Sequence, residues 1–198
     1  MKAAFKVLIF VILMGTLSGG LLVGVNALTA PLVAVNEELK LKSSVLDVLE
    51  LAHSKSDAIK VFGENVRIRK KEDRTFFTAP DGSVAFEFSG PGLWGPVSGI
   101  ISLEKDLKTI RRIRITHQEE TPGLGGRIAE ENYLKQFRSK EVLPRLIFTP
   151  EGKAARKNEV DAITGATGSS RAFEKLINEN VKKYLDALNR LTRAEKAV

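Results

Sequence analysis

Apolar residues dominate the first part of the chain. Residues 7–35 include no charged side chain. A helix needs about 20 apolar residues to cross the hydrocarbon core of a bilayer. Residues 7–28 are long enough for that, and Pro31 is expected to end the helix. The pattern therefore predicts a transmembrane anchor over residues 1–35.

The charges beside this segment predict its orientation. Lys2 and Lys6 precede the apolar run, and basic residues favour the cytoplasmic side of a membrane. Residues 36–198 are then expected on the extracytoplasmic (periplasmic) side of the inner membrane, as the main part of a single-pass protein. A cleaved signal peptide, cut near the small residues Ala27 and Ala30, is the alternative, although a signal core is usually only about 7–15 residues long.

The apolar segment also contains two pairs of glycines four residues apart. Gly15 and Gly19 form one pair, and Gly20 and Gly24 form the other. Glycines at this spacing share a helix face and let a second helix approach closely. The spacing favours packing against membrane helices of partner subunits, although membrane helices also tolerate glycine without a partner.

The rest of the chain alternates between strand-like and helix-like patterns. Period-two alternation, which is typical of half-buried strands, occurs at residues 66–69 and 83–88, and residues 100–103 and 110–115 resemble two more strands around a charged turn. Apolar and capping patterns predict helices at residues 36–52, with Asn36 as the cap, and at 130–140 and 170–193. The order of elements predicts a single α+β domain over residues 36–198, with an antiparallel sheet and flanking helices.

The composition excludes several kinds of site. The 198 residues include no cysteine and only two histidines. Disulfides, thiolate metal ligands and a cysteine nucleophile are therefore excluded, and a histidine-built metal centre has little scope. The net charge of +7 arises from 31 basic and 24 acidic residues, which is a weak signal for nucleic acid. We expect no metal site and no nucleic-acid partner.

Small and hydroxylated residues gather directly before the closing helix. The stretch reads Asp161-Ala-Ile-Thr-Gly-Ala-Thr-Gly-Ser-Ser170. Free backbone N–H groups and the positive end of the helix dipole favour a phosphate group at such a place. From the residues alone, a helix cap by Ser169 or Ser170 is an equally good interpretation.

Two further loops are rich in glycine. The first reads Gly90-Pro-Gly-Leu-Trp-Gly-Pro96, in which Leu93 or Trp94 could lie against a flat aromatic ligand or pack in a small core. The second reads Glu119-Glu-Thr-Pro-Gly-Leu-Gly-Gly126 and could equally be a long turn. No nucleophile, base and acid can be assembled from the sequence, so no catalytic residue is assigned.

Together these motifs resemble the FMN-binding domain family. The run that ends in Thr-Gly-Ala-Thr167 is similar to the flavinylation motif of that family, in which a threonine carries FMN through a phosphoester bond. The loops Gly92-Leu-Trp-Gly-Pro96 and Glu120-Thr-Pro-Gly-Leu-Gly125 are similar to two other loops of the family. Its members include the G subunit of the Rnf electron transport complex and the C subunit of the sodium-translocating NADH:quinone reductase.

The resemblance implies a role for each loop. Thr167 would carry FMN covalently through the phosphoryl group. The cofactor-binding residues of the same loop would be Asp161, Thr164, Gly165, Ala166, Gly168 and Ser169. Those of the other two loops would be Leu93, Trp94, Glu120, Thr121, Pro122, Gly123 and Leu124. The resemblance also implies a partner in maturation, a magnesium-dependent flavin transferase with FAD as donor. The absence of an activating base beside Thr167 in the sequence is consistent with modification by a second protein.

The resemblance also implies a role for the whole chain. The Glu-Thr-Pro-Gly-Leu-Gly loop and the total length are more similar to the Rnf protein than to its relative. The implied function is that of an electron-carrying subunit, rather than a stand-alone catalyst, in a membrane-bound complex that couples ferredoxin:NAD electron transfer to ion transport. Its partners would be the other membrane subunits of that complex. The C subunit of the sodium-translocating reductase and a non-redox FMN-binding sensory module are the alternatives.

Overall fold

The computed structural model describes residues 2–71 and 74–195. They divide into two compact units, one up to residue 41 and one from residue 42 onward. The sequence-based domains 1–35 and 36–198 also include residues 1, 72–73 and 196–198, which lie outside the described residues.

The first unit consists of one long helix. Helix α1 extends over Lys2–Val48, and its residues up to 41 make up this unit. Its mean hydropathy reaches 2.3 over an 18-residue window, and no residue of that window is buried. A helix that is apolar on all sides suits a lipid environment. By length and composition, α1 therefore fits a single-pass membrane anchor.

Helix α1 continues past the point at which the sequence pattern predicts its end. Pro31 lies inside the helix, and so does Asn36, which is therefore not a cap. Proline has a helical φ angle but removes one hydrogen bond, at a cost of about 3 kcal/mol. The long helix on both sides offsets that cost, so the predicted helix over residues 36–52 is the continuation of α1.

The second unit is built around an antiparallel sheet with the strand order β1-β2-β3-β4-β5. These strands are β1 at Arg67–Lys71, β2 at Arg74–Thr78, β3 at Val84–Pro91, β4 at Pro96–Leu103 and β5 at Ile110–Gln118. Each strand pairs with the next along the chain, the pattern of an antiparallel meander. The predicted α+β class with an antiparallel sheet is confirmed.

Strand β2 is not evident from the sequence pattern. Its residues Phe76 and Phe77 are adjacent, and both are buried. Phe77 contacts Phe62 of helix α2 (Ala58–Asn65), whereas Phe76 contacts Tyr184, with the rings edge-on in both pairs. Both faces of β2 are covered at these two positions. Phe76 and Phe77 therefore lack the alternation of apolar and polar residues that is typical of a half-buried strand.

The long helix α4 (Thr167–Glu195) packs against the sheet. Its apolar stripe, predicted from three- and four-residue steps, lies in the main core, where Phe173 is only 1% exposed. Farther along the helix, Tyr184 stacks on Phe86 of β3, with ring centroids 4.2 Å apart. The core thus fixes α4, and with it the loop that precedes the helix.

The segment between β5 and α4 has short elements only. Helical turns at Gly125–Ala129 and Lys135–Phe137 and helix α3 at Glu131–Leu134 replace the single helix predicted over residues 130–140. Too few buried apolar residues follow one another at helical spacing to hold a longer helix, since most of these positions are exposed. Farther on, β6 (Ile147–Thr149) and β7 (Glu159–Asp161) form a small parallel pair.

The last turns of α1 belong to the second unit and lie in its interior. Val45 and Leu46 are fully buried there, which confirms the apolar face predicted for this segment. The carbonyl oxygen of Val48 accepts a hydrogen bond of 2.5 Å from the buried hydroxyl of Ser102, and that of Leu49 accepts one of 3.2 Å from Arg111. These bonds satisfy carbonyl groups that the end of a helix leaves without partners.

Replacing Phe86 by alanine tests how strongly the core holds α4. We expect F86A to lower the free energy of unfolding by about 3–5 kcal/mol, because it removes a large buried ring and leaves a cavity beside Tyr184. Urea unfolding in detergent micelles, followed by circular dichroism, measures the change. I68A is the matched control, since Ile68 on edge strand β1 is 53% exposed; an equal loss in both variants would contradict this packing of α4 on the sheet.

Candidate functional site

Helix α4 begins at the last threonine of the Thr-Gly-Ala-Thr run. Thr167 is its first residue, three positions before the predicted start, and is exposed. The interpretation of Ser169 or Ser170 as a helix cap is therefore wrong. Both lie inside the helix, and both are buried.

The side chain of Ser170 holds the preceding loop against the start of the helix through two hydrogen bonds. Its hydroxyl oxygen accepts a hydrogen bond of 2.9 Å from the N–H of Ile163 and donates one of 3.0 Å to the carbonyl of Ala166. Gly165 has a φ angle of +80°, a conformation that glycine adopts without strain. The loop is thus tightly closed, and Thr167 lies at the surface where the loop meets the helix.

Asp161 is directed away from Thr167, toward another loop. Its Oδ1 accepts hydrogen bonds from the N–H groups of Lys153 and Ala154, at 3.2 and 3.0 Å. Its own N–H donates to Oε1 of Gln136 at 2.6 Å. These contacts support a role for Asp161 in shaping the loops.

The buried carboxylate of Glu120 joins the three glycine-rich loops. Its side chain is only 4% exposed. Oε1 accepts hydrogen bonds from the N–H groups of Leu93 and Trp94, at 2.6 and 3.2 Å. Oε2 accepts one of 2.6 Å from the hydroxyl of Ser169 in the first turn of α4. One carboxylate therefore links residues that are far apart in the sequence.

Glycines allow this close approach. A Cβ atom at Gly92 or Gly125 would collide with the carboxylate of Glu120 or the hydroxyl of Ser169. A Cβ at Gly168 would lie 2.8 Å from Cδ2 of Leu93. The glycine content of all three loops is therefore a packing requirement.

Exposed apolar side chains lie beside this junction. Leu93, Trp94 and Leu124 are 51%, 73% and 46% exposed, so Trp94 does not pack in a small core. Leu93 lies next to Gly168, and Leu124 approaches the ideal Cβ position of Gly165 to 3.6 Å. The neighbouring residues Thr121, Pro122 and Gly123 are also exposed. Two loops thus present apolar surface near the start of α4.

A groove of about 360 Å³ runs along the other side of the Thr-Gly-Ala-Thr loop. Thr164 and Thr167 line it, together with Glu151 and Arg171, two residues that the sequence did not single out. Oε2 of Glu151 accepts a hydrogen bond from the hydroxyl of Thr164. Arg171 lies four residues after Thr167 and so on the same face of the helix. That spacing is the signal that could have identified Arg171.

The first turn of α4 has unused hydrogen-bond donors. Within the described part of the chain, the backbone N–H groups of residues 167–169 have no hydrogen-bond acceptor. The guanidinium of Arg171 likewise forms no hydrogen bond or ion pair with any described residue. Such donors, at the positive end of a helix dipole, suit a phosphate group.

Tyr133 borders the Asp161 side of this region. Its hydroxyl is buried and has no hydrogen-bond partner among the residues that the structure describes. Burial, followed by the nearby charge of Asp161, raises the pKa of the phenol well above its ordinary value. Tyr133 therefore stays protonated, and its contribution here is structural.

No side chain that could activate Thr167 contacts its hydroxyl in the described ranges. Nε2 of His117 lies 3.2 Å from Oε1 of Glu119 on the surface, and Nδ1 of His53 lies 3.0 Å from the carbonyl of Leu51. Among the described residues, no cluster of histidine, aspartate and glutamate suited to a metal ion occurs. The geometry thus offers phosphate donors and an exposed hydroxyl to which no described side chain hydrogen-bonds.

A methyl group at Gly125 tests the junction of the three loops. We expect G125A to lower the free energy of unfolding by about 1–3 kcal/mol, because the new Cβ would overlap the hydroxyl of Ser169 and crowd Glu120. Urea unfolding measures the change. G63A is the control, because an added Cβ in helix α2 has no atom within 4 Å. A G125A variant as stable as wild type would show that the loops leave room for a methyl group at this point.

The chain matches a known family and several known proteins. Residues 92–182 match the family model described as an FMN-binding domain. The C subunit of the Na(+)-translocating NADH-quinone reductase from Haemophilus ducreyi is 29% identical over 119 residues, or 56% of this chain and 46% of that protein. The protein of the same name from Neisseria meningitidis is 31% identical over 127 residues, or 57% and 46%. The chain thus matches less than half the length of these relatives.

Two crystal structures share the fold. The C subunit of the Na(+)-translocating NADH-quinone reductase from Parabacteroides distasonis superposes with a TM-score of 0.67 at 24% identity, covering 77% of this chain and 93% of that one. For NqrC of Shewanella oneidensis the TM-score is 0.60 at 20% identity, covering 70% and 88%. Both likenesses concern the fold alone.

The matched segment includes Leu93 and Trp94, the loop that follows β5 and the first half of α4. It therefore contains every residue that contacts Glu120 through a side-chain hydrogen bond. The part of this chain that forms these contacts, residues 92–182, is thus the part that matches the FMN-binding domain family.

Proposed function

We propose that Thr167 carries FMN through a phosphoester bond, and that the chain serves as an electron-carrying subunit of a membrane-bound, ion-translocating oxidoreductase. One observation carries the proposal. The last hydroxyl of the Thr-Gly-Ala-Thr run is exposed at the first residue of α4, in a segment that matches the FMN-binding domain family. When bound, the flavin supplies the electron chemistry, and the protein supplies its placement.

The first turn of α4 supports binding of the phosphate. A phosphoester on Thr167 would retain a negative charge next to the free N–H groups of residues 167–169, where the helix dipole is favourable to an anion. Arg171 lines the groove that Thr167 also lines, and a guanidinium is a strong partner for phosphate oxygens. These contacts would fix the phosphate end of the cofactor.

The exposed apolar surface supports contact with the flavin ring. Leu93, Trp94 and Leu124 present apolar area close to the Thr-Gly-Ala-Thr loop, and Pro122 lies in the same loop as Leu124. A planar aromatic ring gains most from such side chains, because it buries apolar area and can stack on an indole. The ring would stay near the surface, where a partner could exchange electrons with it.

Attachment of FMN requires a second protein in this proposal. The hydroxyl oxygen of Thr167 would form the new bond to the FMN phosphorus of FAD, the pyrophosphate bond would break, and AMP would leave. No described side chain near Thr167 accepts the hydroxyl proton, so the base would come from a magnesium-dependent flavin transferase. The exposure of Thr167 supports access by such an enzyme.

Removing the hydroxyl of Thr167 tests the attachment. After coexpression with a flavin transferase, we expect the wild-type chain to gain the mass of FMN less one water, and T167V to lack it. T149V is the matched control, because Thr149 also lines this groove and lies outside the Thr-Gly-Ala-Thr run. It should keep the added mass. An unmodified wild-type chain, or a T167V variant that still carries the mass, would contradict the proposal.

Two complexes could contain such an electron carrier. The Glu120-Thr-Pro-Gly-Leu-Gly125 loop supports an Rnf-type complex, in which the chain would resemble the G subunit. The names of the relatives support the C subunit of a Na(+)-translocating NADH-quinone reductase as the second candidate. In either complex, α1 would lie in the membrane with the N-terminus inside, and the domain would face the periplasm.

Isolation of the native assembly distinguishes the candidates. We expect a tagged chain, purified from its own membranes in mild detergent, to copurify with other membrane subunits. The purified assembly should catalyse ferredoxin-dependent reduction of NAD. Quinone reduction by NADH in the same preparation would favour the second candidate. Recovery of the chain without other subunits, or without either activity, would contradict membership in both complexes.

A further inference from the structure

The carboxylate of Glu120 is buried without a cation. At 4% exposure, it forms no ion pair with a lysine, arginine or histidine of the described ranges. Its three hydrogen bonds come instead from the N–H groups of Leu93 and Trp94 and from the hydroxyl of Ser169. All three groups donate to the carboxylate, so its two oxygens have the hydrogen-bond partners that a buried carboxylate requires.

This charge lies at the centre of the proposed FMN site. Leu93 and Trp94 belong to the apolar surface on which the flavin ring would lie. Ser169 follows the attachment residue Thr167 by two positions. The three donors thus place the carboxylate between the residues proposed to hold the ring and those proposed to hold the phosphate.

We propose that Glu120 is a positioning residue that also lowers the reduction potential of the bound flavin through its buried negative charge. The inference rests on the proposed attachment of FMN at Thr167. Solvent and salt screen a buried charge much less than an exposed one. An electron added to the flavin would be repelled by the carboxylate, so reduction is less favourable than it would be beside a neutral side chain.

Glutamine at position 120 can form a hydrogen bond with each of the same three partners. Its side-chain oxygen can accept from the N–H groups of Leu93 and Trp94, as Oε1 does now. Its amide nitrogen can donate to the hydroxyl of Ser169, because a hydroxyl can rotate and also accept a hydrogen bond. E120Q therefore removes the charge and retains the shape of the junction.

The neighbouring residue provides a matched control. Glu119 carries the same charge one position earlier in the chain, but its side chain is 55% exposed. Its nearest charged partner is His117, also on the surface. Removal of the Glu119 charge should have little effect on the flavin, because water screens it.

Redox titration of the flavinylated full-length chain tests the inference. We expect the midpoint potential of E120Q to lie above that of wild type, and that of E119Q to remain close to wild type. Covalent flavin is quantified in each variant by its mass, and folding by urea unfolding. The expected pattern is a rise in potential in E120Q with wild-type flavin content and stability.

Several outcomes would overturn the inference, and one is separate from it. An E120Q potential equal to that of wild type, or a rise of the same size in E119Q, would show that the buried charge has no special effect. Loss of folding or of flavin in E120Q would contradict the claim that glutamine preserves the junction. A wild-type chain without FMN at Thr167 would instead refute the proposed function on which the inference rests.

Discussion

Burying a carboxylate without a cationic partner is costly unless its oxygens accept hydrogen bonds. The fold meets this requirement at Glu120 with donors from two other loops, the N–H groups of Leu93 and Trp94 and the hydroxyl of Ser169. The same bonds that make the buried charge tolerable also bring together the β3–β4 turn, the loop after β5 and the first turn of α4. The arrangement of the candidate site therefore depends on the hydrogen bonds that this carboxylate accepts.

The glycine-rich composition of the three loops follows from that constraint. Side chains at Gly92 or Gly125 would occupy the space of the carboxylate and its partners, and one at Gly168 would displace Leu93. Little apolar volume is left inside the junction, so Leu93, Trp94 and Leu124 extend outward. Exposure of these apolar groups is thus a consequence of the packing beneath them, and it leaves a surface suited to an aromatic ligand.

The sequence predicted the parts of the molecule that depend on local pattern or local motif. The alternating strands, the stripe of α4 and the three loops fall into this class. Strand β2 was not predicted because Phe76 and Phe77 are covered on opposite faces. The continuation of α1 through Pro31 was not predicted because the long helix on both sides offsets the hydrogen bond lost at the proline. The motifs singled out Glu120 and its three donors separately, but not the hydrogen bonds between them, since those depend on contacts between distant segments. Arg171 is identified only once α4 is known to begin at Thr167.

The exposure of Trp94 has a spectroscopic consequence. It is the only tryptophan among the 198 residues, and it is 73% exposed in one of the loops that Glu120 joins. Nearly all indole fluorescence of the chain therefore originates at the candidate site. Its emission would respond to solvent, to a nearby flavin that accepts the excitation energy, and to a partner that covers the loop. The protein thus carries an intrinsic optical probe at the place where its function is proposed, and no label has to be introduced.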